Sequence, residues 1–489
     1  MSNRRIAASG VFWNIVQTVG ERFFQTLVFF VVARLLQPTA FGLAAMAVAP
    51  AAVFAAVMQG ASQVIVQEKD LTDSIAAAAF WFNVAAGVLL GFLIFVGAEP
   101  ISELVSAPAM APLMMATACV PVVAGLGAVS QGIMTRRLEF RMLAIRRTIG
   151  VTLAGLSCAA LAWLGFGAWS LVIQTILTAA IMSIVALVAE RVPLFERFSK
   201  GEFGLVARRS GLLCGSTALI QGNTRLADLV VGYFTGPAGA GAFRLARTII
   251  DLILSLTFTP LGNVLLPIFA NAKEEPERAF RMFVKIVVSS SLLFSGVEIC
   301  TIFGAESFRR LFLGSSWPGL SWVLIFLAPL LPTMSVSPGQ ALLIIDNKSG
   351  AVFGANAARL VASTTCLALG SWLGGINGAA IGYTVCTYLA QISLLLFLNR
   401  QFPLLSSLLR WSMLKSQIFG LIIGFCGYKF ALNYGLRPEN LVESVLASLV
   451  ALASFMSLCW VFCRRELRVV LDVVPMPKAI KSNVEKFLL

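Results

Sequence analysis

Long apolar stretches recur along the whole chain, each closed off by charged residues or by Pro and Gly. A helix that crosses a bilayer needs about 20 apolar residues. Windows of that kind predict fourteen spans, over residues 11–36, 41–66, 75–97, 112–133, 148–166, 169–189, 211–235, 239–269, 283–304, 322–345, 351–373, 376–399, 417–435 and 442–463. Within hydrocarbon every backbone N–H and C=O must be satisfied inside the segment, so spans of this length are helices. The expected fold class is therefore all-α, a polytopic membrane protein of about 14 transmembrane helices. The external connections are short, the longest covering about 305–321, which leaves no room for a catalytic domain outside the bilayer. The first span runs past the length of a signal-peptide core and no small-residue cleavage site follows it, so no cleaved leader is expected.

The pattern repeats. Pro38-Thr39-Ala40-Phe41-Gly42 joins spans one and two, and Pro237-Ala238-Gly239-Ala240-Gly241 joins spans seven and eight, each with glycine four positions after proline. Trp163-Leu164-Gly165 followed by Gly167-Ala168 closes span five, and Trp372-Leu373-Gly374 followed by Gly378-Ala379 closes span eleven with a two-residue slip. A duplication of six spans is expected, giving lobes at 1–190 and 191–400, a terminal helix pair at 401–463 and a tail at 464–489. An even shift keeps orientation, so the two six-helix lobes are expected to be related by a pseudo-two-fold along the membrane normal, enclosing a central cavity.

Composition agrees: 58% of the 489 residues are hydrophobic and 12% charged. The formal charge of +14 does not point to nucleic acid, because the basic residues sit in short loops. With the N-terminus in the cytoplasm, 27 of the 37 Lys and Arg residues fall in inner connections and the tail, and three (Arg309, Arg310, Arg437) outside. By the positive-inside rule both termini are cytoplasmic. The loops Thr135 to Arg147 and Arg191 to Arg209 then read as topology determinants on anionic lipid. Histidine is absent and the nine cysteines form no CxxC, so neither a zinc site, nor an imidazole base, nor a disulfide framework is expected, and no metal or cofactor is assigned.

Polar residues inside the spans are the exception that carries chemistry, because an ionisable group at mid-bilayer costs a few kcal/mol at least. In span one Asn14, Gln17, Glu21 and Gln25 share a helix face, with Arg22 beside them; in span seven Thr217, Gln221, Arg225 and Asp228 do so. Span eight carries Arg244, Arg247, Asp251 and Ser255, and span eleven Asn356, Arg359 and Ser363. Two readings stay open for the paired arginines: intrahelical ion pairs, Arg225 with Asp228 and Arg247 with Asp251, or guanidinium donors to a passenger. Seven basic against four acidic residues leave the spans net cationic, which suits an anionic, phosphate-bearing passenger. Candidate substrate-binding residues are thus Arg22, Arg225, Arg244, Arg247, Arg359, Gln17, Gln25, Gln221 and Asn356, with aromatic faces such as Trp13, Trp81 and Tyr383 compatible with sugar. Asp228 and Asp251 are read as structural ion-pair partners. Glu21 and Glu298 are read as ion-coupling candidates, Glu298 also as a buried polar clasp.

Several runs carry a family resemblance: Ala33 to Leu43, Val66-Gln67-Glu68-Lys69-Asp70 with Phe80-Trp81-Phe82-Asn83, Thr135 to Phe140, Leu164 to Leu171, Ala227 to Gly232, Leu311 to Trp317 and Ile344-Ile345-Asp346-Asn347. In order along nearly the whole chain, they resemble bacterial polysaccharide flippases of the multidrug, oligosaccharidyl-lipid and polysaccharide exporter superfamily, in the Wzx-type exopolysaccharide and colanic-acid branch. The resemblance implies two six-helix lobes plus two helices and no catalytic residues. It also implies an activity: flipping of undecaprenyl-diphosphate-linked oligosaccharide repeat units across the bacterial inner membrane, beside a polymerase and chain-length machinery. Span seven departs from the family pattern in carrying Arg225 three residues before Asp228.

The expected function is a lipid-linked oligosaccharide flippase working by alternating access, not an enzyme. A multidrug antiporter of the same superfamily fits less well, because organic cations favour acidic cavities. A polymerase or glycosyltransferase lacks a long loop and a DxD motif, and a non-transporting scaffold is a further alternative. No GxxxxGK[ST] motif is present, so energy comes from the passenger's gradient, a partner or a coupling ion. The charge asymmetry makes a direct prediction: reporter fusions after Ser106, Ser315 and Arg437 read as external and those after Arg141, Arg197, Glu275 and Arg410 as cytoplasmic, and a consistent inversion contradicts the topology.

Overall fold

The structure, a computed structural model, describes residues 24–68, 71–193, 196–257, 276–336, 349–401, 403–433 and 440–462. No strand occurs among the described residues. Helices follow one another in chain order: α1 (Phe24–Leu35), α2 (Pro38–Gln67), α3 (Asp73–Leu104), α4 (Met110–Arg136), α5 (Phe140–Trp163) and α6 (Ala168–Ala189). A long helical stretch, Lys200–Thr257, breaks at Gly236 into α7 (200–235) and α8 (237–257). Then come α9 (Pro276–Phe308), prolonged by a π-turn Arg309–Leu313, and α10 (Leu320–Val336). Ser349–Gln401 breaks at Gly374 and Gly375 into α11 (349–373) and α12 (376–401), and α13 (Pro403–Asn433) and α14 (Leu441–Phe462) end the series. Each of the fourteen predicted spans thus has a helical counterpart among the described residues. Eight helices there are long and apolar enough to cross a membrane by length and composition alone. The fold is that of an all-α polytopic membrane protein.

The breaks follow from local chemistry. Pro237 stands at the first position of α8, as Pro38 does in α2, where its missing N–H has no intrahelical partner to lose. Inside α4 the helix is interrupted at Ala118, three residues before Pro121, and α10 is interrupted at Ala328 and Pro329, just before Pro332. A proline ring clashes with the carbonyl four residues back and cannot donate to it, so both interruptions fall where each proline demands them. Spans four and ten are thus both interrupted shortly before a proline.

The repeat is also visible as conformation. Gly167 at the start of α6 has φ 56° and ψ −127°, and Gly375 at the start of α12 has φ 57° and ψ −140°, a region closed to residues with a Cβ. The turn equivalent to Gly167 is therefore Gly375. Gly378, the expected match, lies inside α12 and packs on Gly370 of α11.

The two Pro-to-Gly motifs pack on each other. A Cβ placed on Gly42 would strike the Pro237 carbonyl and lie 2.8 Å from the Gly241 nitrogen. Placed on Gly241, it would strike the Pro38 carbonyl and lie 2.9 Å from the Gly42 nitrogen. Such reciprocal contact, each element meeting its partner's equivalent atoms, is what a two-fold axis produces.

The chain falls into two compact units, Met1–Arg244 and Leu245–Leu489. In the first, α2, α3, α4 and α6 close around Met46, Ile94, Met110, Leu113 and Val172. In the second, α9 is the central helix, packed by α10, α13 and α14, with Phe283, Phe294 and Trp317 fully buried.

The basic loops of the first unit do more than face lipid. Arg136 donates to the Glu68 and Ile65 carbonyls at the end of α2, satisfying groups that no helical N–H reaches. Arg137 pairs with Glu190 at 2.7 Å, Arg209 pairs with Glu68, and Arg146 donates to Gln131 Oε1 at 2.9 Å. Helix α7 opens with a capping box: the Ser199 N–H donates to Glu202 Oε2 at 2.6 Å and the Glu202 N–H to Ser199 Oγ at 3.2 Å. The Ser74 hydroxyl also donates to Glu202, at 2.6 Å, and together with the Ser199 N–H holds this carboxyl below the usual carboxylate range.

A substitution test follows from the reciprocal contact. Gly42→Ala and Gly241→Ala are each expected to destabilise the folded protein by about 1–3 kcal/mol, the range for overpacking a tight contact. Gly204→Ala on α7, where a Cβ meets nothing within 4 Å, is expected to cost nothing. Thermal unfolding of the three variants in detergent checks the order, and equal midpoints contradict the close approach.

Candidate functional site

The charged groups of the first unit meet across the α7–α8 hairpin. Asp228, 1% exposed, accepts from Arg244 Nη1 at 3.2 Å, while the Arg244 side chain keeps 22% of its surface. The two are sixteen residues apart in sequence and face each other because α8 folds back from Gly236. The ion-pair role expected of Asp228 is thus filled across a hairpin, by a residue expected to bind substrate. Gln25 on α1 and Gln221 and Arg225 on α7 are half-buried. Gln17, Glu21 and Arg22 lie outside the described residues.

In the second unit Arg247 is 6% exposed and its guanidinium carbon stands 4.6 Å from the centre of the Tyr383 ring on α12. The negative face of the ring attracts the cation and offsets part of its desolvation. Asp251, one turn further along α8, is exposed and forms no ion pair among the described residues. Its expected pairing with Arg247 is not among the ion pairs of the described residues, and the guanidinium sits against the Tyr383 ring. Helical spacing proposes only partners on the same helix, and the ring beside Arg247 is on another. Asn356 and Arg359 on α11 are half-buried, with Arg359 within electrostatic reach of Cys386 on α12. No group of three or more His, Cys, Asp or Glu residues among the described ones is arranged to hold a metal ion.

Glu298 of α9 is fully buried. Around it lies a polar layer that sequence reasoning missed: Ser291 and Ser416 share a hydrogen bond of 2.8 Å between α9 and α13, Gln417 Nε2 donates to the Pro332 carbonyl at 3.3 Å, and Tyr388 of α12 is within electrostatic reach of Glu298. The signal available in the sequence was the run Ser289-Ser290-Ser291 with Ser295, an unusual density of hydroxyls in an apolar span.

Comparison with known proteins places these residues in a family. Residues 31–321 match the family model described as polysaccharide biosynthesis protein. The succinoglycan biosynthesis transport protein ExoT of Rhizobium meliloti (strain 1021) is 25% identical over 342 residues, 69% of this chain and 67% of that protein. The lipopolysaccharide biosynthesis protein WzxC of Escherichia coli (strain K12) is 24% identical over 413 residues, 80% of this chain and 82% of that one. Among solved structures, lipid II flippase MurJ in its inward closed conformation shares the fold, with a TM-score of 0.74 at 16% identity, covering 92% of this chain and 99% of that chain. With a family model that spans more than half its length, the chain belongs to the polysaccharide biosynthesis protein family.

Proposed function

We propose that this protein is a flippase that moves undecaprenyl-diphosphate-linked oligosaccharide repeat units across the bacterial inner membrane, for exopolysaccharide or related surface-polysaccharide synthesis. One observation carries the reading: the family match, with relatives named for succinoglycan transport and lipopolysaccharide biosynthesis, on a fold shared with a lipid II flippase. The drug-antiporter and enzyme alternatives draw no comparable support from the named relatives.

The passenger's diphosphate is met by Arg22, Arg225, Arg244, Arg247 and Arg359, since guanidinium groups offer paired donors to phosphate oxygens. Gln17, Gln25, Gln221 and Asn356 meet the sugars, and Tyr383 beside Arg247 offers them an aromatic face. Transport proceeds by alternating access through a cationic cavity, in a chain organised as lobes 1–190 and 191–400, a helix pair 401–463 and a tail 464–489, with both termini cytoplasmic. The reciprocal packing of Gly42 and Gly241 supports that duplicated arrangement. The product side of the membrane is where a polymerase and chain-length machinery would take over the repeat unit. Among the arginines, Arg247 is buried against the Tyr383 ring, which offsets part of the cost of its burial.

Vesicles containing the purified protein and a lipid-linked repeat unit, sampled on each face, test the assignment of residues. Losing one charge-assisted contact costs about 1.5–3 kcal/mol, so Arg22, Arg225, Arg244, Arg247 and Arg359, each changed to Ala, are expected to slow flipping by about 10- to 150-fold at unchanged abundance. Lysine is expected to restore only part of the rate where the contact is bidentate. Wild-type rates in all five alanine variants contradict a site built from these arginines.

A further inference from the structure

The second unit holds a carboxyl group that the arginine site does not use. Glu298 on α9 is 0% exposed, and neither carboxylate oxygen has a hydrogen-bond partner among the described residues. Its level in the bundle is fixed by contacts along α9 and α13: Ser291 with Ser416 at 2.8 Å, Ile302 against Gly424, and Phe303 with Tyr428 at 5.9 Å between ring centres. Glu298 stands between these levels, beside Gly420. A Cβ on Gly420 would lie 3.0 Å from Glu298 Oε2 and 3.3 Å from Ser295 Oγ, so the absence of a side chain there opens a hollow into which both oxygens project. Ser295 Oγ, Tyr388 OH and Gln417 Oε1 are also buried and without a hydrogen-bond partner among the described residues.

An ionised carboxylate held in this way has lost its water and gained no donor, a cost of several kcal/mol. The charged groups on the helices around it do not relieve that cost. Lys415 on α13 adjoins Ser416, at the level of Ser291 and so about two turns before Glu298. Lys429 follows Tyr428, at the level of Phe303. Arg309 and Arg310, at the π-turn after α9, are held by Glu306, and α10 carries no charged residue. On α14, Leu452 meets Gly296, which leaves Glu443 more than two turns away. Cys426 on α13 and Cys459 on α14 are likewise remote in register, and Tyr388 is the titratable side chain within electrostatic reach.

We propose that Glu298, with Ser295, Tyr388 and Gln417, forms a proton-binding site on α9, in which the carboxyl holds a proton while buried and exchanges it only when the α9–α13 contact opens to water. The balance is simple: a carboxylate takes one proton from water to become a carboxylic acid and returns it on release. The bound proton removes the buried charge and supplies an O–H donor for the bare acceptor beside it at Gly420, Ser295 Oγ. The Tyr388 hydroxyl lies within electrostatic reach of the same carboxyl. A sodium ion fits less well, because such a cation needs several converging oxygens and the hollow at Gly420 gathers Glu298 Oε2 and Ser295 Oγ. Since exchange requires the helices to part, proton loading is tied to the conformational cycle. This coupling rests on the transporter reading, whereas the site itself does not.

Infrared difference spectroscopy of the full chain in nanodiscs at neutral pH tests the site. Wild type is expected to show a protonated-carboxyl C=O band that shifts in heavy water, that Glu298→Gln removes, and that Tyr388→Phe moves in frequency. Because glutamine has the shape of the protonated acid, the first variant is expected to fold, and the second reports on the same band with the carboxyl present. Absence of any such band, a band untouched by both variants, or one abolished by sodium chloride each overturn the proposal. In vesicles, an imposed proton gradient is expected to change the wild-type flipping rate several-fold and to leave Glu298→Gln unaffected; an equal response in both overturns the coupling. Wild type that flips no lipid-linked repeat unit yet keeps the band supports the proton site while removing the flippase reading.

Discussion

Two helix starts, at Pro38 and Pro237, approach until backbone meets backbone, and this contact organises the protein. Hydrocarbon gives helices no hydrophobic reason to associate, so close packing of small residues has to supply the adhesion. At Gly42 and Gly241 nothing larger than hydrogen fits. The price of glycine in a helix, about 1 kcal/mol each, is accepted because the approach brings the start of α2 against the start of α8, which folds back on α7 at Gly236. Arg244 reaches Asp228 because of that turn.

Charge inside the membrane is then managed in three different ways. Arg244 and Asp228 neutralise each other across a hairpin. Arg247 is held against the ring of Tyr383, which lowers the cost of burial. Glu298 is buried beside Ser295 at Gly420, with no hydrogen-bond partner among the described residues.

The positions of the helices were legible in the sequence because the membrane imposes a length and an apolar composition on every span, and proline and glycine mark the ends. Pro38, Pro237 and the Trp163 and Trp372 turns each announced an element that the structure contains. The slip at the second turn was misassigned because Gly375 and Gly378 look alike as letters, while only Gly375 has the backbone conformation of Gly167. Side-chain partners were less legible. Spacing along one helix suggested Asp251 for Arg247, but the ring of Tyr383, more than a hundred residues later, occupies that role. The polar layer around Glu298 was hidden for the same reason: Ser295, Tyr388 and Gln417 come from three helices, and each alone is an ordinary residue in an apolar span.

What the cationic residues are for is decided most directly by the chemistry of the passenger. Reconstituted wild-type protein should be offered two polyprenyl-linked oligosaccharides that differ only in the linkage, one through a diphosphate and one through an uncharged group, and the appearance of each on the opposite face of the vesicle followed in time. Selective acceleration of the diphosphate-linked lipid is the expected result. Equal movement of both lipids, or movement of neither above protein-free vesicles, contradicts a flippase that recognises its cargo by phosphate charge.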